Sequence, residues 1–548
     1  MKIALAQLNY HIGNIESNTQ KILTAIQQAK QEGAHLVVFA ELAICGYPPL
    51  DFLESSKFID ACEQAIEQIV NACSDIACIV GAPAKNTHIA GKDLYNAAYF
   101  IEKGAIKTIV HKALLPNYDV FDEYRYFEPA RQLQCIHFMG HTIALTICED
   151  LWNLNKNPLY TTSPMEILIQ EEPDMMINIA ASPFTYNHLQ ERITVLRGNC
   201  RNYRLPLFYV NQVGAQTELI FDGCSLVFDA DGQIVDQLPG FIEAMHCYEF
   251  KDVMLPSVIR HTASNQLLDD SSSLHDALIL GIQDYFKKSG FSKAILGLSG
   301  GIDSALVCAL ACKALGPENV LAILMPSVFT SDHAINDATA LVQKLGCKQE
   351  IVPINKAVSA FESMLKPLFK DSPPNVAEEN IQSRCRMITL MAMANKYGYI
   401  VLNASNKSEL AVGYGTLYGD MAGAIGVIGD LYKTQIYKLC NYINRQEEII
   451  PKNILTKAPS AELRPDQKDT DSLPEYNLLD KLLFEYIELN KDPNTIIALG
   501  FDDTLVHRIV KMVNNAEFKR YQSLPILRVS TKAFGLGRRM PIVGNYLE

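Results

Sequence analysis

Residues 299–304 read Ser-Gly-Gly-Ile-Asp-Ser, between the apolar run 294–298 and Ala305-Leu306-Val307-Cys308. A strand, a tight glycine turn and a helix start carrying hydroxyls and a carboxylate form an anion cradle. Backbone N–H groups and the helix dipole converge there, and glycine has no Cβ to hold the anion away. The Gly-x-x-x-x-Gly-Lys-Ser/Thr pattern is absent, so no lysine follows the glycines to reach a γ-phosphate. An isolated Ser-Gly-Gly reads more simply as a capped turn; the full string at a strand-to-helix junction reads as functional. A second chemistry sits in the first half of the chain, where Glu41, Lys112 and Cys148 each end or follow a β-type run. A thiol attacks an amide carbonyl when a base takes its proton, and a buried glutamate can be that base. An ammonium beside them steadies the oxyanion. Taken singly, Cys148 reads as a packed thiol, Glu41 as a helix-cap carboxylate and Lys112 as a solvated charge.

Positioning these groups needs sheets. The first half has β-type runs at 3–8, 36–40, 76–80, 143–147, 175–179 and 207–210, with more near 97–101 and 106–110. A helical pattern over 15–32 lies between Asn14 and Gly33, which are start and stop signals. This alternation predicts a sheet covered by helices, whose strand ends on one edge bring distant residues into one pocket. The second half predicts a helix near 274–289, a strand entering Ser299, and further strands at 320–325, 349–353 and 399–403 with helices between them. That is a doubly wound parallel sheet, with ligands at the carboxyl ends of its strands. The polar text of 257–273 reads as a linker between domains at 1–256 and 274–548. Residues 457–473, rich in Pro, Asp and Ser, read as a long mobile loop able to close over a site.

At 548 residues the chain exceeds a single core, and 48% hydrophobic with 20% charged content describes a globular protein. A net charge of −13 argues against nucleic acid or an anionic membrane as partner. Fourteen cysteines without Cys-x-x-Cys pairs fit a reducing compartment. Cys73 and Cys78, like Cys308 and Cys312, read as small core residues rather than zinc ligands. The N-terminus turns polar too soon for a signal peptide and no apolar run reaches membrane-spanning length, so a cytoplasmic location is expected.

Three separated motifs change the odds for the first site. Ala40-Glu41-Leu42 with Gly46-Tyr47-Pro48-Pro49, then His111-Lys112-Ala113-Leu114-Leu115-Pro116, then Ile147-Cys148-Glu149-Asp150-Leu151-Trp152 resemble the nitrilase (carbon–nitrogen hydrolase) superfamily over residues 1–250. The resemblance implies an αββα sandwich with Glu41 as base and acid, Lys112 as oxyanion stabiliser and Cys148 as nucleophile. Residues 116–127, Pro-Asn-Tyr-Asp-Val-Phe-Asp-Glu-Tyr-Arg-Tyr-Phe, are similar to the glutaminase branch. That branch implies glutamine as substrate, held by Tyr118, Ser182 and His188. Relatives commonly carry a larger basic residue at the last of these positions. Glu123 reads equally as a second pocket carboxylate or as a surface ion-pair partner.

The loop at 299–304 resembles the pyrophosphate loop of the ATP pyrophosphatases, which have an adenine nucleotide alpha hydrolase-like fold. Asn406-Lys407-Ser408-Glu409-Leu410-Ala411-Val412-Gly413-Tyr414-Gly415-Thr416, then Tyr418-Gly419-Asp420, then Asp430-Leu431-Tyr432-Lys433-Thr434-Gln435 look like the NAD⁺ synthetases of that class. Residues 379–386 and the tail 532–542 agree. The resemblance implies ATP on Gly297, Leu298, Ser299, Gly300, Gly301, Ile302, Asp303, Ser304, Ala404 and Lys433. It implies deamido-NAD⁺ on Asn380, Glu409 and Lys519, and Mg²⁺ with ATP on Glu409. AMP transfer turns a carboxylate oxygen into a leaving group that ammonia displaces, with Lys433 neutralising phosphate charge. Relatives carry Thr-Gly where this chain has Ala404-Ser405, so one hydroxyl is missing unless Ser405 supplies it. A homo-oligomer is expected. The rivals are other amidotransferases. Asparagine synthetase uses an N-terminal cysteine where this chain has Lys2, GMP synthetase uses Cys-His-Glu, and a tRNA-modifying ligase calls for a basic surface. From another class, the first half would be a non-catalytic docking module.

Overall fold

Both faces of strand Lys2–Gln7 are apolar, and strand alternation sends Ile3 and Leu5 into one core and Ala4 and Ala6 into another. Such a strand needs cover on both sides. In the computed structural model, which describes residues 1–88, 90–154, 158–254, 270–370, 372–465 and 467–544, that cover is a second sheet and a helix layer. The chain divides into two compact units, Met1–Leu267 and Leu268–Glu548.

In the first unit, one six-stranded sheet runs Ala244–Glu249, Lys2–Gln7, Leu36–Val38, Ala77–Lys85, Leu94–Glu102, Ala105–His111. The other runs Ile234–Gln237, Leu226–Phe228, Leu207–Asn211, Met175–Ala180, His141–Ile147, Ile136–Phe138. Leu5, Val38, Ile79 and Phe100 of the first meet Ile143, Ile147, Ile177 and Phe208 of the second in a shared core. Helices Ile15–Gln31 and Ser56–Ala72 cover the first sheet with Ile22, Ile26, Ile66 and Ile69. Helix His188–Tyr203 brings Ile193, Leu196 and Cys200 to the second. This is the αββα sandwich. The expected helix starts where Asn14 predicts, its side chain accepting from the Ser17 N–H at 3.2 Å.

Two expectations need correction. The run 36–40 is a strand only to Val38, because the chain turns at Leu42 with φ +47°. Gly81 permits that turn, since a Cβ there would lie 2.3 Å from the Leu42 nitrogen. The antiparallel strands from Val213 to Glu249 have no counterpart among the expected runs. They are short and joined by tight turns, so their period-2 signal is weak.

The second unit has one parallel five-stranded sheet in the order Lys348–Ile351, Val320–Leu324, Ala294–Gly297, Ile400–Asn403, Ile425–Gly426. The chain leaves the central strand Ala294–Gly297 to one side and returns to build the other, which puts Ser299 at the topological switch point. The predicted linker lies outside the described residues as far as 269, and residues 270–273 begin helix Asp270–Ser289.

Away from the sheet, fully buried Lys407 lies 2.7 Å from Glu488 and 3.0 Å from Asp430, and donates to Ser530 Oγ at 2.7 Å. Asp430 also accepts from the Val529 and Ser530 N–H groups at 2.8 and 2.7 Å, tying residues 526–530 to the sheet. Lys407→Met leaves two buried carboxylates uncompensated and is expected to cost about 3–5 kcal/mol. Urea unfolding of the full chain checks this: the second unit's transition should move to lower urea, and an unchanged midpoint would count against the anchor.

Candidate active sites

Glu41, Lys112 and Cys148 lie just beyond the ends of strands Leu36–Val38, Ala105–His111 and His141–Ile147. The Lys112 ammonium donates to Glu41 Oε1 at 2.7 Å and to Glu123 Oε1 at 2.8 Å, entirely out of solvent. Glu41 is fixed from two more directions. Asn96 Nδ2 donates to Oε1 at 2.7 Å, and the Ala181 N–H donates to Oε2 at 2.9 Å. Glu123 is therefore a pocket carboxylate and not a surface one, and Tyr47 OH donates to it at 2.9 Å.

Cys148 opens a short helical turn, Cys148–Leu151, in the left-handed region at φ +44°. A non-glycine residue there stores about 1–3 kcal/mol of strain, a pattern of functional positions. Asp150 pins the turn, accepting from the Ala113 and Leu114 N–H groups at 3.0 and 2.9 Å and from the Ile147 N–H at 3.0 Å. It thereby ties the segment after Lys112 to the cysteine.

Charge follows from burial. Burial lifts the Cys148 thiol well above its ordinary value, Glu41 adds to the lift, and Lys112 opposes it. Burial opposes the charge on Lys112, but Glu123 and Glu41 hold the ammonium on. Glu123 is pushed up to about 7 by burial, against the pull of Lys112. The set at rest holds a neutral thiol beside a charged lysine.

The three expected glutamine contacts gather around this set. Tyr118 OH reaches both Glu149 oxygens, at 2.9 and 3.1 Å, and Tyr160 OH reaches the same carboxylate at 3.0 Å. Ser182 Oγ lies 2.8 Å from His188 Nε2, and the imidazole stacks parallel on Trp152 with centroids 5.1 Å apart. Burial lowers the basicity of His188. Glu149, Tyr160, Asn96 and Tyr47 were not assigned roles from sequence. Glu149 and Tyr47 stand inside the quoted motifs, whereas a lone Asn96 within a strand carries no signal.

In the second unit the Ser299 loop opens onto a cavity of about 470 Å³. Every expected ATP and dinucleotide contact lines it except Gly300. Gly300 turns at φ +82°, and a Cβ there would stand 2.4 Å from the Ala334 carbonyl oxygen, so glycine is required. Ser304 Oγ lies 3.1 Å from Ser299 Oγ and donates to the Gly301 carbonyl, while the Gly301 N–H donates to Ser299 Oγ at 3.2 Å. Gly301 precedes helix Ile302–Leu315, whose first-turn N–H groups have no side-chain cap.

Facing the loop, Lys433 pairs with Asp303 and lies 3.6 Å from Glu409. Burial opposes its charge, and Asp303 and Glu409 more than restore it. Burial lifts Glu409 to about 8, with Lys433 pulling down and Asp303 pushing up. Asn406 reaches both carboxylates, its Nδ2 donating to Asp303 Oδ1 at 3.1 Å and its backbone N–H to Glu409 Oε2 at 3.4 Å. Lys519 donates to the Gly413 and Gly415 carbonyls at 2.8 and 2.7 Å, and Asn380 accepts from Thr416 Oγ1 at 2.7 Å. Ser405 Oγ is committed to the Asp420 carbonyl at 3.0 Å, beside the hydroxyl-free Ala404. The stretch 457–463, with Gln467 and Asp469, forms one wall of the cavity.

A carbon-nitrogen hydrolase family model matches residues 2–250, and an NAD synthase model matches residues 274–523. Fold and sites thus define a carbon–nitrogen hydrolase unit followed, in one chain, by an NAD synthase unit. The chain is 45% identical over 547 residues to the glutamine-dependent NAD(+) synthetase of Synechocystis sp., covering 98% of each. It is 39% identical over 547 residues to that of Acinetobacter baylyi, covering 100% of this chain and 98% of that one. The structure of glutamine-dependent NAD+ synthetase from Acinetobacter baumannii with ADP matches with TM-score 0.79 at 37% identity, over 99% of this chain and 98% of that one. The Cytophaga hutchinsonii counterpart, at 19% identity and TM-score 0.82, shares the fold. The chain belongs to the glutamine-dependent NAD(+) synthetase family.

A thiol kept neutral by burial has a measurable signature. Iodoacetamide alkylation of Cys148, followed on its own peptide by mass spectrometry, should rise about tenfold per pH unit up to pH 8.5. A plateau below pH 7 would mean a preformed thiolate and would sink this account of the site.

Proposed function

We propose that the protein amidates deamido-NAD⁺ to NAD⁺, using ATP and taking its nitrogen from glutamine, with release of AMP, pyrophosphate and glutamate. What carries this reading is a buried thiol–carboxylate–lysine set and a glycine-loop cavity in one chain that is similar end to end to glutamine-dependent NAD(+) synthetases. Tyr118, Ser182 and His188 hold glutamine. Glu41 takes the Cys148 proton as sulfur attacks the amide carbon, and Lys112 stabilises the oxyanion. Glu41 then returns the proton to the departing ammonia and activates the water that hydrolyses the thioester.

At the second site, Ser299 to Ser304 cradle the ATP phosphates, and Lys433 balances the charge that grows on them as AMP passes to the deamido-NAD⁺ carboxylate. Asn380 and Lys519 hold the dinucleotide. The donor set fits Mg²⁺, because Asp303 and Glu409 are two adjacent oxygen ligands served by one lysine. When bound there, the ion withdraws charge from phosphate oxygens. No helix among the described residues is long and apolar enough to cross a membrane. Self-association in the cytoplasm completes the reading, supported by exposed Met364, Leu368, Ile388 and Met391 on helices Asn355–Phe369 and Val376–Tyr397.

The deciding experiment is ATP-dependent NAD⁺ formation from deamido-NAD⁺, with glutamine and ammonium compared as donors. Cys148→Ala should lose glutamine-driven synthesis by at least about a thousandfold while ammonium-driven synthesis survives. Asp303→Asn should lower both by about a hundredfold. Glutamine-driven synthesis that survives Asp303→Asn unchanged would remove the loop's assigned role.

A further inference from the structure

Three cysteines of the second unit converge outside both sites. Cys308 and Cys312 stand one turn apart on helix Ile302–Leu315, so their side chains share a face. Cys347 is delivered by Gly346, which ends helix Asp332–Leu345 in the left-handed region at φ +71° and turns the chain toward strand Lys348–Ile351. The three sulfurs lie within 4.8 Å of one another, and Cys308 and Cys347 are 3.9 Å apart. Among the described residues no other three His, Cys, Asp or Glu donors converge this closely.

Two sulfurs bound at about 2.3 Å to one tetrahedral ion stand about 3.8 Å apart, whereas a disulfide needs about 2 Å. The Cys308–Cys347 spacing excludes a disulfide and matches two ligands of one ion. The Cys-x-x-x-Cys spacing also falls within the range of zinc ligand pairs on one element. We propose that Cys308, Cys312 and Cys347 form a three-thiolate site for a thiophilic divalent cation, with Zn²⁺ as the biological occupant and water as fourth ligand on the half-exposed Cys347 side. Each coordinating thiol gives its proton to solvent, and three sulfur–metal bonds form. The ion ties the helix that starts at the Ser299 loop to the sheet edge, about 9 Å along the helix from its first residue.

The test uses the full chain, reduced and stripped with chelator, and titrated with Cd²⁺ and with Zn²⁺. The Cd²⁺ arm reads the ultraviolet thiolate-to-metal band and the Zn²⁺ arm reads competition with a chromophoric chelator. The unsubstituted chain should hold one more ion than Cys347→Ser or Cys312→Ser, or hold it at least tenfold more tightly. Cys440→Ser, a buried cysteine outside the cluster, should match the unsubstituted chain. Circular dichroism reports folding, and half-exposed Cys347 supplies a substitution that leaves the core intact. Equal stoichiometry and affinity in a folded Cys347→Ser, or the same loss in Cys440→Ser, would overturn the site.

Discussion

A lysine ammonium taken out of water is stable only where carboxylates replace its hydration, and among the described residues three buried lysines meet that condition in the same way. Lys112 sits between Glu41 and Glu123, Lys433 between Asp303 and Glu409, and Lys407 between Asp430 and Glu488. Desolvating each ion costs several kcal/mol, so each triad holds only if the remaining lone pairs also find donors. At Lys407 they do: backbone N–H groups and the Ser530 and Thr531 hydroxyls complete both carboxylates. That triad is an anchor. At Lys112 and Lys433 burial lifts one carboxylate, to about 7 at Glu123, which accepts from Lys112, Tyr47 and Asn96, and to about 8 at Glu409, whose carboxylate accepts from the Asn406 N–H at 3.4 Å. The same device is an anchor at Lys407 and holds a carboxylate of raised pKa at the other two lysines.

The sheets decide which of these outcomes a lysine meets. In the first unit Glu41, Lys112 and Cys148 stand within a few residues of strand ends, where the regular ladder stops and side chains turn inward together. Gly81 lets the Glu41 segment fold back against its neighbouring strand, and Asp150 couples the Lys112 segment to the Cys148 turn. In the second unit the switch in strand order opens a crevice above the central strand, and the loop at 299–304 occupies its floor.

Much of this was legible in the sequence, and the pattern of what was not has physical causes. Long apolar runs with clear caps announced the parallel strands and helix Ile15–Gln31, because periodicity and the Asn14 cap are local signals. The hairpins between Val213 and Glu249 were invisible because short strands carry few periods. Motif strings located Glu41, Lys112, Cys148 and the Ser299 loop. Partners supplied by distant segments, such as Asn96 for Glu41 and Asn406 for Asp303, could not be read as partners before the fold was known. Glu123 stands in a charged run that suits solvent as well as a pocket, and only the tertiary burial separates the two. Cys347 joins Cys308 and Cys312 across strand Val320–Leu324 and helix Asp332–Leu345, a separation that no spacing rule covers.

The charge state of the first site also constrains how it works. A preformed thiolate would face Glu41 across a low-dielectric pocket, and that repulsion is part of what keeps the Cys148 proton in place. Lys112 is already charged and already held at 2.7 Å from Glu41, so the proposed oxyanion partner needs no substrate to form. In the proposed mechanism the proton moves to Glu41 as the sulfur's electron pair goes to a carbonyl carbon, and the negative charge passes to an oxygen that Lys112 stabilises. Carboxylate, ammonium and thiol are thus arranged so that the substrate's own carbonyl completes the charge balance. The left-handed backbone at Cys148 holds the sulfur to that geometry at a cost the Asp150 hydrogen bonds offset.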